Sequence, residues 1–184
     1  MSSVWWSGLL AMLCFGLAAQ ADEVSICYNY DCAVTAKVDL RAYQLRAARR
    51  LLLRAMDTVE ERKAISLVIG LFEVAAGRQT PTWADKGRNV NDDGVDGRMD
   101  CIDESANATA YLHLLEGRGW LKYHRVLEPV KRAPILVNDH WAARIVEKKT
   151  GREFAVDSWF FDNGQPAFVV LLEEWRDGAE PNEE

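Results

Sequence analysis

The stretch Asn138-Asp139-His140-Trp141-Ala142-Ala143-Arg144-Ile145-Val146-Glu147, the turn Lys148-Lys149-Thr150-Gly151, and the return Arg152-Glu153-Phe154-Ala155-Val156-Asp157-Ser158-Trp159 read together as a β-hairpin. A four-residue loop ending in Gly151, which supplies positive φ, sets Glu147 opposite Arg152 as a favourable cross-strand charge pair. Carried down the ladder, that register puts His140 opposite Trp159. Asp157 then lies on the His140 face at the diagonal position, about 7 Å away between Cβ atoms. A carboxylate there reaches an imidazole nitrogen. The apolar residues around it, Phe154-Ala155-Val156 before and Trp159-Phe160-Phe161 after, favour a buried acid, which needs a partner.

Working outward, Trp120 to Leu127 and Ala167 to Leu172 are also β-branched or aromatic-rich and bounded by turn residues, so they read as further strands. Upstream the period changes. From Val34 to Met56 the apolar positions Val38, Leu45, Leu52, Leu53 and Met56 fall at helical multiples, with Arg41, Arg46, Arg49, Arg50 and Arg54 between them, a solvated or salt-bridged face. Asp57 caps a second helix carrying Ile65, Val68, Ile69, Phe72 and Ala76, stopped at Gly77. A third begins at Cys101 and ends at Gly117-Arg118-Gly119, after a Gly-, Asn- and Asp-rich loop from Thr80 to Asp100 in which Trp83 is expected to pack in the core. Helices first and a meander afterwards predict an α+β domain over residues 22–175, with N-terminal helices packed on an antiparallel sheet and a disordered acidic tail over 176–184.

Cys101 stands at the first turn of its helix, where unpaired amides and the helix dipole favour a thiolate. Asp100, Asp103 and Glu104 oppose that charge, so activation requires a cationic partner, and imidazolium is the usual one. Of the three histidines, His113 projects from the same helix on another side, and His124 has no carboxylate following it in a neighbouring strand. His140 has Asp157. The expected set is Cys101 as nucleophile, His140 as base and Asp157 as the residue that orients the ring.

The run Gly97-Arg98-Met99-Asp100-Cys101, the helix to Leu114-Leu115-Glu116-Gly117-Arg118-Gly119, and the His140-Trp141 and Val156-Asp157-Ser158 strands resemble the core of the transglutaminase-like cysteine hydrolase superfamily. The resemblance covers residues 97–159 and implies a papain-like α+β core with Cys, His and Asp in that order. It further implies acyl transfer or hydrolysis at an amide bond through a thioester, with a protein, peptide or peptidoglycan-like amide as substrate and no required cofactor. The competing expectation is a non-catalytic peptide- or cell-wall-binding module on the same fold, with Trp141 and Trp159 at the rim of its cleft.

A second pattern precedes the cysteine. Asn89, Asn91, Asp93, Val95 through its carbonyl, Gly94 at the sixth position and Asp100 at the twelfth follow a calcium-loop spacing. Calcium is therefore a candidate ligand, with a Gly/Asp turn as the simpler reading.

The first 21 residues carry no charged side chain, contain an apolar run from Val4 to Ala19 and end in Ala19-Gln20-Ala21, as a cleavable secretory signal does. A periplasmic or secreted location is expected, with a retained membrane anchor as the alternative and no stable membrane insertion once the signal is cut. Loss of Cys14 with the signal leaves Cys27, Cys32 and Cys101. In an oxidising compartment the near pair Cys27 and Cys32 is expected to form a disulfide, leaving Cys101 as a free thiol. A net charge of −6 argues against nucleic acid as a partner.

Overall fold

The computed structural model describes residues 21–133 and 139–182. The signal expected over residues 1–21 lies outside them, except for residue 21, and Asn138 at the start of the expected hairpin also lies outside. Among the described residues no helix is long and apolar enough to cross a membrane.

The chain opens with a hairpin of β1 (Asp22–Tyr28) and β2 (Val34–Leu40), paired antiparallel from Asp22 opposite Leu40 to Tyr28 opposite Val34. This corrects the helix expected from Val34: Val34, Ala36, Val38 and Leu40 alternate with polar residues at period two, and β1 supplies the ladder. The seven-residue spacing of Val38, Leu45 and Leu52 suits a helix equally well, and only the last two use it. The helix proper is α1 (Ala42–Arg54), followed by α2 (Thr58–Gly77), whose N-cap Asp57 accepts from the Glu60 amide at 2.8 Å. A short 3-10 turn spans Pro81–Ala84, and α3 runs from Cys101 to Gly117.

A four-stranded antiparallel sheet follows in the order β3 (His124–Arg132), β4 (His140–Glu147), β5 (Glu153–Asp157), β6 (Phe168–Leu171). The β3 strand begins later and runs further than the Trp120–Leu127 expected. Its register against β4 shifts between Leu127 and Val130, where Pro129 cannot donate to a ladder. One face of this sheet packs on the helices: Ile145, Phe154 and Val156 join Leu52, Ile65, Ile69, Phe72, Tyr111 and Leu112 in one core. The molecule is thus mixed helix and sheet, an α+β arrangement with two antiparallel sheets.

The opposite face carries a second, smaller core of Val130, Ala142, Ala155, Leu172 and Trp175. Leu172 and Trp175 come from α4 (Leu172–Arg176), an element absent from the expected strand-then-tail reading. Their spacing of three places both on one side of a helical turn, burying Trp175 completely. Beyond it the residues expected to be a disordered tail are placed as far as 182. Ala179 donates its amide to the Glu174 carbonyl, and Glu180 pairs with Arg88 at 2.5 Å.

Candidate active site

The site is assembled where the N-terminus of α3 meets the beginning of β4 and the end of β5. Asp100 is the N-cap of α3, with one carboxylate oxygen accepting from the amides of Ile102 (3.0 Å) and Asp103 (2.9 Å). Asp103 closes the reciprocal box by accepting from the Asp100 amide. Cys101 is therefore the first residue of the helix. The approach to it is fixed from behind: Asp85 accepts from the Met99 amide at 2.7 Å, and Gly97 has φ +88°, with space for a Cβ denied by Pro81.

The two acids that flank the cysteine have their oxygens engaged by backbone amides. The β1–β2 turn runs Asn29, Tyr30, Asp31, Cys32, four consecutive non-glycine residues in the left-handed region, with φ between 49° and 70°. Its amides point at the helix cap. Tyr30 and Cys32 donate to the two oxygens of Asp103 at 2.8 and 2.7 Å, and Asp31 donates to Asp100 at 3.0 Å. Cys27 and Cys32 are joined in a disulfide, and Cys101 is the free thiol. Burial, and then the charge of Asp100, raise the Asp103 carboxyl to about 6, while the amides from Cys32, Asp100 and Tyr30 pull the other way. Glu104 turns away into the interior, where Ser158 donates to it.

His140 begins β4, and Asp157 ends β5. The observed register, Val146 opposite Glu153 through Ala143 opposite Val156, is the one expected from the Glu147–Arg152 pair. Alternation then places His140 and Asp157 on the face of Ala142 and Ala155, away from the helical core. The His140 Nε2 atom lies 2.7 Å from Asp157 Oδ2, and Asp157 is buried. With Nε2 occupied, Nδ1 is the ring nitrogen left for the thiol. The Cys101 Sγ atom lies 3.8 Å from the carbonyl oxygen of Asp139, the residue immediately before His140. Burial works to lower the His140 imidazole, but hydrogen bonds to Asp157 and to Cys101 outweigh it and carry it up to about 9. The imidazolium is thus the favoured form at neutral pH.

Residues that the sequence did not suggest complete the surroundings. Trp175 donates its indole N–H to Asp157 Oδ2 at 2.8 Å and lies against the His140 ring at 5.7 Å, with Trp159 and Phe160 on other edges at 4.8 and 5.6 Å. Arg132, at the register position opposite His140, stacks its guanidinium 4.7 Å from the Trp175 ring and donates to the Trp175 carbonyl. Beneath α3, Glu73, Asp85 and Glu104 are buried close enough to repel one another, and burial raises all three above the usual carboxylate range. The helical spacing of Leu172 and Trp175 was the available signal for the first of these features. Nothing in the sequence pattern announced Arg132 or the buried acids.

The two histidines set aside as bases are placed apart from this centre. His113 is exposed on α3 and pairs with Glu116 at 3.7 Å. His124 is fully buried, and it does have a carboxylate: Glu61 of α2, at 2.8 Å from Nδ1. That acid also accepts the amides of Lys122, Tyr123 and His124, so the pair pins β3 to α2. Burial raises Glu61, but the bonds from His124 and these amides more than reverse it and hold the carboxyl below its ordinary value.

Of the calcium-loop residues one caps a helix, and the others lie in the loop before it. Asp100 caps α3, the Asn89 amide faces Asp85 and Asp92, and Asp93 and Val95 are exposed. Among the described residues the grouping with metal-ligand spacing is Cys27, Cys32 and Asp103, whose sulfurs are spent in the disulfide. Trp83, expected in the core, is 71% exposed because the 3-10 turn carries its ring outward. No family model, curated protein or solved structure matches the chain, so the chemistry has to be read from the geometry.

Proposed function

We propose that the chain is a transglutaminase-like cysteine hydrolase or acyltransferase acting on an amide bond, with Cys101 as nucleophile, His140 as general base and then acid, and Asp157 as the orienting carboxylate. The observation that carries this reading is the buried 2.7 Å His140–Asp157 pair, set beside a thiol at a helix N-terminus whose Sγ lies 3.8 Å from the carbonyl of the residue before His140. Cys101 Sγ, its proton already held by His140, would attack the carbonyl carbon as the thiolate. The C–N bond breaks, and that proton leaves with the amine. The remaining thioester is resolved by water, giving a carboxylic acid, or by a second amine, giving a new amide. Asp157 and the helix dipole stabilise the charges present before attack. The placement of the cysteine at a helix N-terminus and of His140 and Asp157 on adjacent strands supports the same reading, and peptides or cell-wall stem peptides are the amides proposed as substrates.

Alkylation of Cys101 by iodoacetamide as a function of pH tests it. The wild-type thiol should react quickly into mildly acidic solution, and His140→Ala should slow it by ~10²-fold or more there. His113→Ala should leave the profile unchanged. Equal profiles for wild type and His140→Ala would overturn the mechanism and assign the cleft to binding without chemistry.

A further inference from the structure

The outward face of α1 carries a concentration of charge that the catalytic centre does not use. Between Arg41 and Arg54 there are five arginines and no acidic residue, in a chain of net charge −6. Arg46, Arg50 and Arg54 follow one another at intervals of four, so they stack on one side of the helix, with Tyr43, Arg49 and Leu53 filling the rest of an arc of roughly 140°. Gln44, Leu45, Ala48 and Leu52 occupy the other side and are buried against the protein. All four helix arginines of the arc are exposed, and among the described residues none of them makes an ion pair. Of the solvated or salt-bridged face expected, the solvated alternative is the one found. Arg78, at the end of α2, adds a fifth cation to the arc by donating to the Tyr43 hydroxyl at 3.2 Å.

Like charges at i and i+4 destabilise a helix by a few tenths of a kcal/mol for each pair, and two such pairs stand here without compensation. A face that only needs solvation gains nothing from this. It suits a partner that supplies negative charge along a surface. The apolar groups set among the cations define that surface further: Tyr43 is 49% exposed, Leu53 37% and Met56, just past the helix end, 79%. Guanidinium groups interleaved with aromatic and aliphatic side chains on one convex helix side match the phosphate and upper acyl region of a bilayer.

We propose that the arginine face of α1 is a membrane-docking surface that seats the domain peripherally on anionic phospholipid. It would hold the domain by α1, on an element that contributes nothing to the catalytic centre. Each arginine close to the lipid surface adds attraction that decays within a Debye length, so the association is salt-sensitive.

The test is vesicle co-sedimentation of the protein in the form that accumulates in the producing cell, with phosphatidylglycerol/phosphatidylcholine vesicles against pure phosphatidylcholine. Binding should be at least tenfold stronger on the anionic vesicles at ~50 mM salt and largely lost at ~500 mM. The Arg46→Glu/Arg50→Glu/Arg54→Glu variant should lose that preference by roughly tenfold or more. A charge-matched control at Lys63, Arg125 and Lys149, all exposed, should retain it. Unchanged melting and unchanged Cys101 alkylation establish that the variants fold. Equal binding to both vesicle types, or a preference insensitive to the triple substitution, overturns the proposal. Failure on vesicles with arginine-dependent retention on polyglutamate also overturns it, and assigns the face to an acidic polypeptide.

Discussion

Trp175 and His140 share one acceptor: the indole N–H and the imidazole Nε2 both meet Asp157 Oδ2, at 2.8 and 2.7 Å. The last helix of the chain therefore sets the charge available to the residue that orients the base. Trp175→Phe keeps most of the ring volume and removes only the donor. Losing a buried hydrogen bond to a charged group is expected to cost about 1.5–3 kcal/mol in unfolding free energy. With less of its charge taken up by the indole, Asp157 should bind the imidazolium more strongly, so the His140 titration followed by NMR should move upward. An unmoved titration would mean that Trp175 serves packing alone.

The imidazolium also contributes a pH-dependent share of stability. Its folded-state value of about 9 lies above the ordinary 6.5, so the contribution is complete below pH 6.5 and is lost as pH rises through about 9. The difference in melting temperature between wild type and His140→Ala should therefore shrink across that window. A difference that stayed constant from pH 6 to pH 10 would contradict the raised value.

The buried acids beneath α3 carry the opposite sign. Burial is the main cause that pushes Glu73 from its ordinary 4.5 up to about 7, so its penalty is absent at low pH and grows as the solution rises through that interval. Glu73→Gln preserves an acceptor for the Gly164 amide, which lies at 2.9 Å. It should raise the melting temperature at pH 8, by about 2–4 °C for each kcal/mol relieved, and change it little at pH 4.5. Thermal scans at the two values decide the matter. Equal effects at both would locate the role of Glu73 in packing.

What could be read from the chain followed from local rules. The β4–β5 register was legible because one charge pair and one glycine turn fix it, and a one-residue slip would have turned Asp157 away from His140. Asp57 as a helix cap and Cys101 as the opening of another helix were legible for the same local reason. The β1–β2 hairpin was not, since Val34 to Leu40 satisfies both periods and only the partner strand decides between them. Arg132, Trp175 and the Glu73–Asp85–Glu104 group were illegible because they are brought together across the fold, over separations that no window of sequence spans. His124 shows the converse: its acid partner lay on α2, an element the hairpin argument never reached.

The left-handed turn from Asn29 to Cys32 bears on how the protein matures. Each non-glycine residue in that region costs roughly 1–2 kcal/mol, and three of the amides it presents are held by the carboxylates that cap α3. The conformation that brings Cys32 back to Cys27 is thus supported by the cap of α3. Three thiols allow three pairings, and the short loop between Cys27 and Cys32 already favours theirs on closure entropy. Once α3 has docked, its cap draws the turn shut on the Cys27–Cys32 pair and leaves Cys101 unjoined. Loop length and helix cap thus favour the same pairing, and templating of this kind protects the one sulfur the proposed chemistry needs.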